Sequence, residues 1–173
     1  MKTFNSNKKL KQELIKNLQH HQDLDAFIQG AWLDTDSNKT ENDSFKGCFY
    51  GCTMQTDQNP IKKFSEKYNI DLWYCYLTER IFEGLPKGEY EKFPLESIKV
   101  LPIGVDINKI KSLFHYRVLE DQLQFCKSDE KVTNSILKCM ELFKTPFDQI
   151  DESAAREARE EARLAAESAR GVV

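Results

Sequence analysis

The feature that most constrains the fold of this chain is the spacing of its apolar residues. They recur at steps of three and four along most of the sequence, which is the period of an amphipathic α-helix. In the first helix, predicted over residues 6–30, these positions are Leu10, Leu14, Leu18, Leu24 and Ile28. Further helices are predicted after Asn59-Pro60, over 71–83, between Pro94 and Pro102, and over 130–143. Apolar residues on more than one face of the 71–83 helix predict a central position in the core.

Two segments leave the local structure open. Residues 107–126 have helical spacing at first, but Gln122-Leu123-Gln124-Phe125 alternates like a strand. A hairpin around Glu120-Asp121 is the alternative there. Residues 47–52 favour neither helix nor strand. The fold class predicted from the sequence is mainly α, a compact helical domain with one small β-hairpin as an option.

The composition changes sharply after Ile150, where the chain consists almost only of Ala, Glu, Arg and Ser. All of these except Ser are strong helix formers. We therefore expect two parts. Residues 1–147 form the helical globular domain, and residues 148–173 form a charged, Ala-rich helical tail.

Charge and hydropathy disfavour several classes of protein. A net charge of −3 over 173 residues argues against a general nucleic-acid binder. There is no apolar run of about 18 residues, and the N-terminus lacks the apolar segment of a secretory signal. Five cysteines at scattered positions fit reduced thiols better than a disulfide framework. We expect a cytoplasmic protein with no membrane partner.

His21 and Asp25 are the first candidate site. Four residues apart on the predicted first helix, they fall together on its apolar face. Burying an aspartate is costly unless it is paired, so the two side chains are expected to satisfy each other or a ligand. One interpretation is a structural hydrogen bond between helices, and the other is a ligand-binding or active site.

The second candidate site is the segment Gly47-Cys48-Phe49-Tyr50-Gly51-Cys52. On a helix, Cys48 and Cys52 would share a face and form half of a zinc site, which His21 could help to complete. Alternatively, Cys48 at a helix N-terminus would be a nucleophile with a lowered pKa. A third interpretation is close backbone packing, permitted by the glycines and the small thiols.

Aromatic residues concentrate around the helix predicted over 71–83. Trp73 and its neighbours could line a pocket that stacks a planar ligand, although aromatic residues at helical spacing are more often part of the core. We name Trp73 as a candidate ligand-binding residue on this basis.

The tail carries a strict heptad seam of alanines. Its members are Ala155, Ala158, Ala162, Ala165 and Ala169. Alanine seams allow helices to approach closely but bury little area. The seam favours self-association or the docking of a partner helix, and a solitary charged helix that serves as a spacer is the alternative.

Five short motifs resemble those of a family of small bacterial and phage proteins without an established activity. The motifs are His21-x-x-x-Asp25, Gly30-Ala31-Trp32, Gly47-Cys48-x-x-Gly51-Cys52, Ile81-Phe82-Glu83-Gly84-Leu85-Pro86 and Leu101-Pro102-Ile103-Gly104-Val105-Asp106. The resemblance covers roughly residues 14–120, and the family also carries Ala/Ser/Arg/Glu-rich tails. It implies a phage or mobile-element origin and a shared site at His21, Asp25, Cys48 and Cys52, but no reaction.

These patterns predict a non-enzymatic cytosolic protein that binds a small-molecule or protein ligand and self-associates through its tail. No cofactor is expected. The alternative is an enzyme that uses Cys48, or a metal such as zinc held by His21, Asp25 and the two cysteines.

Overall fold

The computed structural model describes residues 1–34, 46–126 and 129–170, with side chains in the last helix described as far as residue 167. These residues form helices and short turns, so the predicted mainly α fold is confirmed. The helices are α1 (Lys8–Asp23), α2 (Phe49–Met54), α3 (Pro60–Tyr68), α4 (Leu72–Gly84), α5 (Phe93–Val100), α6 (Lys111–Leu123), α7 (Glu130–Leu142) and α8 (Glu152–Arg170). Short 3-10 turns cover Thr3–Ser6, Ile107–Ile110 and Phe147–Gln149.

The chain divides into two compact units, which we call unit 1 (Met1–Ile107) and unit 2 (Asn108–Val173). The sequence-based division at residue 147 differs from this boundary, because α6 and α7 belong to the same unit as the Ala-rich helix. None of the helices in the described ranges is long and apolar enough to cross a membrane.

Unit 1 is built around a core of aromatic and aliphatic side chains from α1 to α5. Asn7 caps α1, since its side chain accepts hydrogen bonds from the backbone N–H groups of Lys9 (2.9 Å) and Leu10 (3.3 Å). Leu14 and Leu18 then point into the core, as their spacing predicts. The largest fully buried side chains of the unit include Phe4, Phe49, Tyr50, Phe64 and Phe82.

The first helix is shorter than its apolar pattern predicts. It ends at Asp23, and Leu24, counted as a core position, is 43% exposed. The chain then leaves the helix and extends, so that Phe27 forms an isolated parallel bridge with Gly47. Ala26 and Phe27 are buried by this arrangement. The prediction of a helix to residue 30 is wrong because the long-range burial of these two residues outweighs the local helical spacing.

The helix predicted over 71–83 forms as α4, but it lies at the edge of the core. Cys75, Thr78 and Phe82 are buried on one face, whereas Leu72 and Tyr76 are largely exposed. The prediction of a central helix is therefore wrong. The apolar residues on its outer face are available to line a surface feature.

Unit 2 contains α6, α7 and α8. Residues 120–123 belong to α6, so the alternative of a hairpin around Glu120-Asp121 is wrong, and no strand forms in the described part of this unit. Asp129 caps α7 by accepting the N–H of Val132 (3.1 Å), and Asp151 caps α8 by accepting the N–H of Ala154 (2.9 Å). The helical prediction for the tail is confirmed.

Candidate functional site

His21 and Asp25 do not form the predicted pair. Because α1 ends at Asp23, Asp25 lies outside the helix, exposed and in the left-handed region with φ of 51°. Neither ring nitrogen of His21 has a hydrogen-bond partner among the described residues. The two residues therefore do not share a helix face, because α1 does not extend as far as Asp25.

His21 is instead a core histidine of unit 1. Its side chain is 5% exposed, and its ring centroid lies 6.1 Å from that of Phe27 and 6.1 Å from that of His20. Burial, and secondarily the charge of His20, lower the pKa of His21. The ring is therefore neutral at physiological pH, with both polar atoms removed from water.

The glycines of the 47–52 segment are explained by close packing. A Cβ atom on Gly51 would lie 1.4 Å from the carbonyl oxygen of Trp32, and one on Gly47 would lie 2.3 Å from the same oxygen. The N–H of Cys48 donates to the carbonyl of Ala31 at 2.7 Å. Only glycine allows α2 to lie this close to the segment that precedes Leu33, which supports the close-packing interpretation.

The Cys48 thiol is poorly suited to be the predicted nucleophile. Cys48 is the N-cap residue of α2, and its sulfur accepts the N–H of Gly51 at 3.4 Å. Burial, together with the nearby Glu79 carboxyl, nevertheless raises the pKa of this thiol far above its usual range. The prediction of a lowered pKa for Cys48 is wrong. Helix α2 is only six residues long, and burial raises the pKa by more than the N-terminus of so short a helix lowers it.

The two cysteines of this segment do not form a metal site with His21 in the described part of the chain. The Cys52 thiol donates to the backbone carbonyls of Ala26 (3.3 Å) and Gly47 (3.4 Å). Within the described residues, no group of three or more His, Cys, Asp and Glu side chains is placed to hold a metal ion. Cys52 thus serves the junction between α2 and the extended segment.

Trp73 belongs to the periphery of the unit 1 core. Its side chain is partly buried and packs against the core cluster, and its ring meets that of Tyr74 edge-on with centroids 5.9 Å apart. Trp73 is not among the residues that line the cavity described next. The exposed indole of the unit is Trp32.

A cavity of about 390 Å³ opens between residues 30–32 and the outer face of α4. On α4, Tyr76 and Arg80 lie four residues apart and so project from the same face of the helix. Ile61 of α3 adds to the lining. The side chains of Trp32 and Tyr76 are 43% and 58% exposed, so two aromatic surfaces border the cavity.

Glu79 places a carboxyl group between this cavity and the Cys48 thiol. Burial is the main cause that raises the pKa of Glu79 to about 7, and a hydrogen bond from the Cys48 thiol opposes part of that shift. Its Oε2 atom is buried and has no hydrogen-bond partner among the described residues. At neutral pH this carboxyl can therefore either donate or accept a hydrogen bond.

The other charged residues that line the cavity are Glu83 and Arg80. The N–H of Gly30 donates to Oε2 of Glu83 at 2.8 Å, which ties the extended segment to the end of α4. Arg80 lines the cavity and forms no ion pair within the described ranges. Its guanidinium is therefore available as a donor to a ligand.

Residue patterns alone do not select Trp32, Glu79 and Arg80, whereas Tyr76 belongs to the aromatic cluster around Trp73 that could line a pocket. Trp32 enters only through the Gly30-Ala31-Trp32 motif of the family resemblance. The best indication in the sequence is the pair Glu79-Arg80, which introduces charge into the middle of a largely apolar helix. That pair does not reveal which segment faces it, because Trp32 and α4 are distant along the chain.

The alanine seam is already covered within unit 2. Ala158 and Ala165 are buried where α8 packs on α7. An ion pair between Lys138 of α7 and Glu161 of α8, at 2.6 Å, and a weak thiol hydrogen bond from Cys139 to the carbonyl of Ala158, at 3.9 Å, join the same two helices. The remaining seam residues are Ala155 and Ala162, both half-buried, and Ala169, whose side chain lies outside the described residues.

Comparison with models of protein families, with curated proteins and with solved structures finds no significant match to this chain.

Proposed function

We propose that this chain is a non-catalytic binding protein whose small-molecule ligand occupies the cavity between residues 30–32 and α4. One observation carries the proposal. Two exposed aromatic side chains, a guanidinium that forms no ion pair with the described residues and a carboxyl with a pKa of about 7 line one cavity of about 390 Å³. Apolar walls with a few convergent polar groups and a perturbed pKa are typical of ligand sites.

The lining favours a planar, uncharged ligand with hydrogen-bond donors and acceptors on one edge. Trp32 and Tyr76 offer faces on which a planar ring can stack. Arg80 can only donate, whereas Glu79 can donate or accept according to its protonation state. Because the positive charge of Arg80 is offset by the two carboxyl groups beside it, the ligand needs no net charge.

A first experiment compares the native and denatured masses of the full-length protein. A ligand captured during expression would add mass to the native protein alone. Benzamide, nicotinamide and cytosine then serve as defined planar probes in titrations followed by tryptophan fluorescence. Trp32 borders the cavity, so its emission is expected to change as a probe saturates the site. A bare native mass together with no saturable change would refute the proposal.

Variants of the cavity wall test the placement of the ligand. Replacing Tyr76 with Ala or Arg80 with Gln is expected to weaken probe binding by about three- to tenfold, which is the loss of one stacking or donor contact. Leu72→Ala is the matched control, because Leu72 lies one turn earlier on the exposed side of α4 and does not line the cavity. Equal effects of all three changes would place the ligand elsewhere.

An enzyme is the second candidate, favoured by one observation, the pKa of Glu79 near 7. A carboxyl with such a pKa is suited to move a proton at neutral pH. The two candidates differ in what happens to a bound molecule over time. If its mass changes on the wild-type protein and stays constant on Glu79→Gln, the protein is an enzyme. A constant mass on both supports binding without catalysis.

Three further expectations belong to this proposal. We place the protein in the cytoplasm, and we retain an origin among bacterial and phage proteins as a hypothesis based on the motifs. Self-association through the alanine seam is a prediction that would require α8 to expose Ala158 and Ala165, both of which it now buries against α7. The oligomeric state of the full chain, compared with a truncation that ends at Gln149, tests it.

A further inference from the structure

Unit 2 has a cavity of its own, separate from the one in unit 1. It measures about 410 Å³ and is bordered by the start of α6 and by the segment that follows α7. Its polar lining comes from Lys109, Ser112 and Tyr116 on one side and from Lys144 and Thr145 on the other.

The polar groups of this cavity are all able to donate hydrogen bonds. None of the lining residues that the structure describes is acidic. Lys109 forms no ion pair in the described part of the chain, and Lys144 uses its ammonium group with Glu141 at 2.5 Å. An ammonium has three N–H donors, so Lys144 retains two for another acceptor. The balance of charge and donors favours an anion.

Ser112 is an independent indication of an absent partner. Its side chain is 8% exposed, and its Oγ is buried with no hydrogen-bond partner among the described residues. A buried hydroxyl without a partner is unfavourable, because it has lost its hydrogen bonds with water and gained none in the protein. Because Ser112 belongs to the cavity lining, rotation of its hydroxyl toward a bound acceptor would recover that bond.

The rest of the lining is apolar. Leu113 and Pro146 border the cavity, and the ring of Phe143 lies beside them. Phe143 is held in place by stacking on His115, with ring centroids 5.0 Å apart and planes inclined by 26°. The lining therefore combines several hydrogen-bond donors with apolar side chains, which suits a ligand that carries its negative charge on an apolar group.

We propose that this cavity in unit 2 binds a phosphate monoester carried on an apolar group. A phosphate monoester offers three acceptor oxygens, which match the donors of two lysines and three hydroxyl groups better than the two oxygens of a carboxylate do, although Glu141 offsets the charge of Lys144. Leu113 and Phe143 contact the apolar part, while Lys109 and Lys144 bind the phosphate.

The test is calorimetric titration of the full chain with phenyl phosphate, alongside benzoate and inorganic phosphate, each to about 10 mM. Phenyl phosphate is expected to saturate, with inorganic phosphate and benzoate each at least about threefold weaker. Lys109→Met and Lys144→Met should each weaken phenyl phosphate by about three- to tenfold. Ser112→Ala should also weaken it while preserving the fold, since it removes a hydroxyl that has no hydrogen-bond partner among the residues that the structure describes.

Lys131→Met is the matched control, because Lys131 is an exposed lysine of the same unit outside this cavity. It should leave the affinity unchanged. No saturation by any of the three compounds would overturn the proposal, and so would an equal loss in Lys131→Met, which would indicate nonspecific attraction by surface charge. Tighter binding of benzoate than of phenyl phosphate would overturn the assignment to a phosphate.

Discussion

Replacing Glu79 with Gln is expected to raise the free energy of unfolding of unit 1 by more at pH 8 than at pH 5. The reason is the pKa of about 7 that burial gives to this carboxyl in the folded protein, compared with 4.5 for an ordinary glutamate. In the unfolded chain the group ionises at the lower value. Above pH 4.5, folding therefore requires the Glu79 carboxyl either to take up a proton or to be buried in its charged form.

The magnitude follows from the shift. One pKa unit corresponds to about 1.4 kcal/mol, so a shift from 4.5 to 7 amounts to about 3 kcal/mol. Glu79 is only half-buried, and solvent screening reduces this figure, so we expect about 1–2 kcal/mol. Because the pKa of the carboxyl is raised in the folded protein, its ionisation destabilises the fold. This penalty is absent below the unfolded pKa of 4.5, grows as the pH rises from 4.5 to about 7 and is constant above the folded pKa.

The assay is urea denaturation of the wild type and of Glu79→Gln at about pH 5 and about pH 8, followed by tryptophan fluorescence. Both tryptophans, Trp32 and Trp73, lie in unit 1, so this signal reports on that unit. The substitution changes the free energy of unfolding by one amount at pH 5 and by another at pH 8, and the difference between these two amounts is the quantity of interest. The new amide group contributes similarly at both pH values and therefore cancels. Glu66→Gln is the control, since Glu66 lies exposed on α3.

Two results would refute this reasoning. If Glu79→Gln stabilises the protein equally at both pH values, the carboxyl does not titrate in the interval. If the variant is less stable than the wild type at pH 8 but not at pH 5, the ionised carboxyl is paired favourably in the folded state. A pH-dependent gain of about 1–2 kcal/mol, absent in Glu66→Gln, confirms that the cavity holds a carboxyl that destabilises the fold.

Three further predictions concern packing and titration. Gly51→Ala should destabilise unit 1 by more than about 3 kcal/mol in chemical denaturation, because its Cβ would overlap a carbonyl oxygen, whereas Gly84→Ala meets open space and should be nearly neutral. Ala158→Leu should lower stability by about 1–3 kcal/mol, because the larger side chain overpacks the contact of α8 with α7. Ala166 is exposed, so Ala166→Leu should change stability by less than about 0.5 kcal/mol. Equal effects of the two substitutions in thermal unfolding would contradict this packing. Because the pKa of His21 is lowered in the folded protein, the neutral ring contributes its full stability above about pH 6.5, and this contribution is lost as the pH falls. His21→Leu should therefore flatten the acid side of a curve of stability against pH. An unchanged slope would refute this prediction.

Most helices of this chain could be predicted because their determinants are local. The helices after Asn59-Pro60, over 71–83 and over 130–143 each combine apolar spacing with a nearby proline, glycine or cap residue. Backbone hydrogen bonds in a helix join residues four apart, so the evidence for each helix lies within its own segment. The strand-like alternation at 122–125 misled because four residues are too few to distinguish the two periods.

The candidate sites fared differently. The sequence indicates a special role for the cysteines and glycines of the 47–52 segment, and close packing is one of the interpretations that it allows. Which interpretation holds depends on the carbonyl of Trp32, which no pattern within the segment indicates. The His21–Asp25 pair was predicted from a helix that ends too early to contain both residues.

The sequence by itself determined the helical class, the positions of most helices and the helical nature of the Ala-rich tail, since these depend on interactions between near neighbours in the chain. Tertiary structure alone decided where α1 ends, what covers the alanine seam and which side chains share a cavity. Burial depends on contacts between distant segments, and the same contacts set the pKa of Glu79 and the exposure of Trp32. Spacing within one segment carries no information about such contacts.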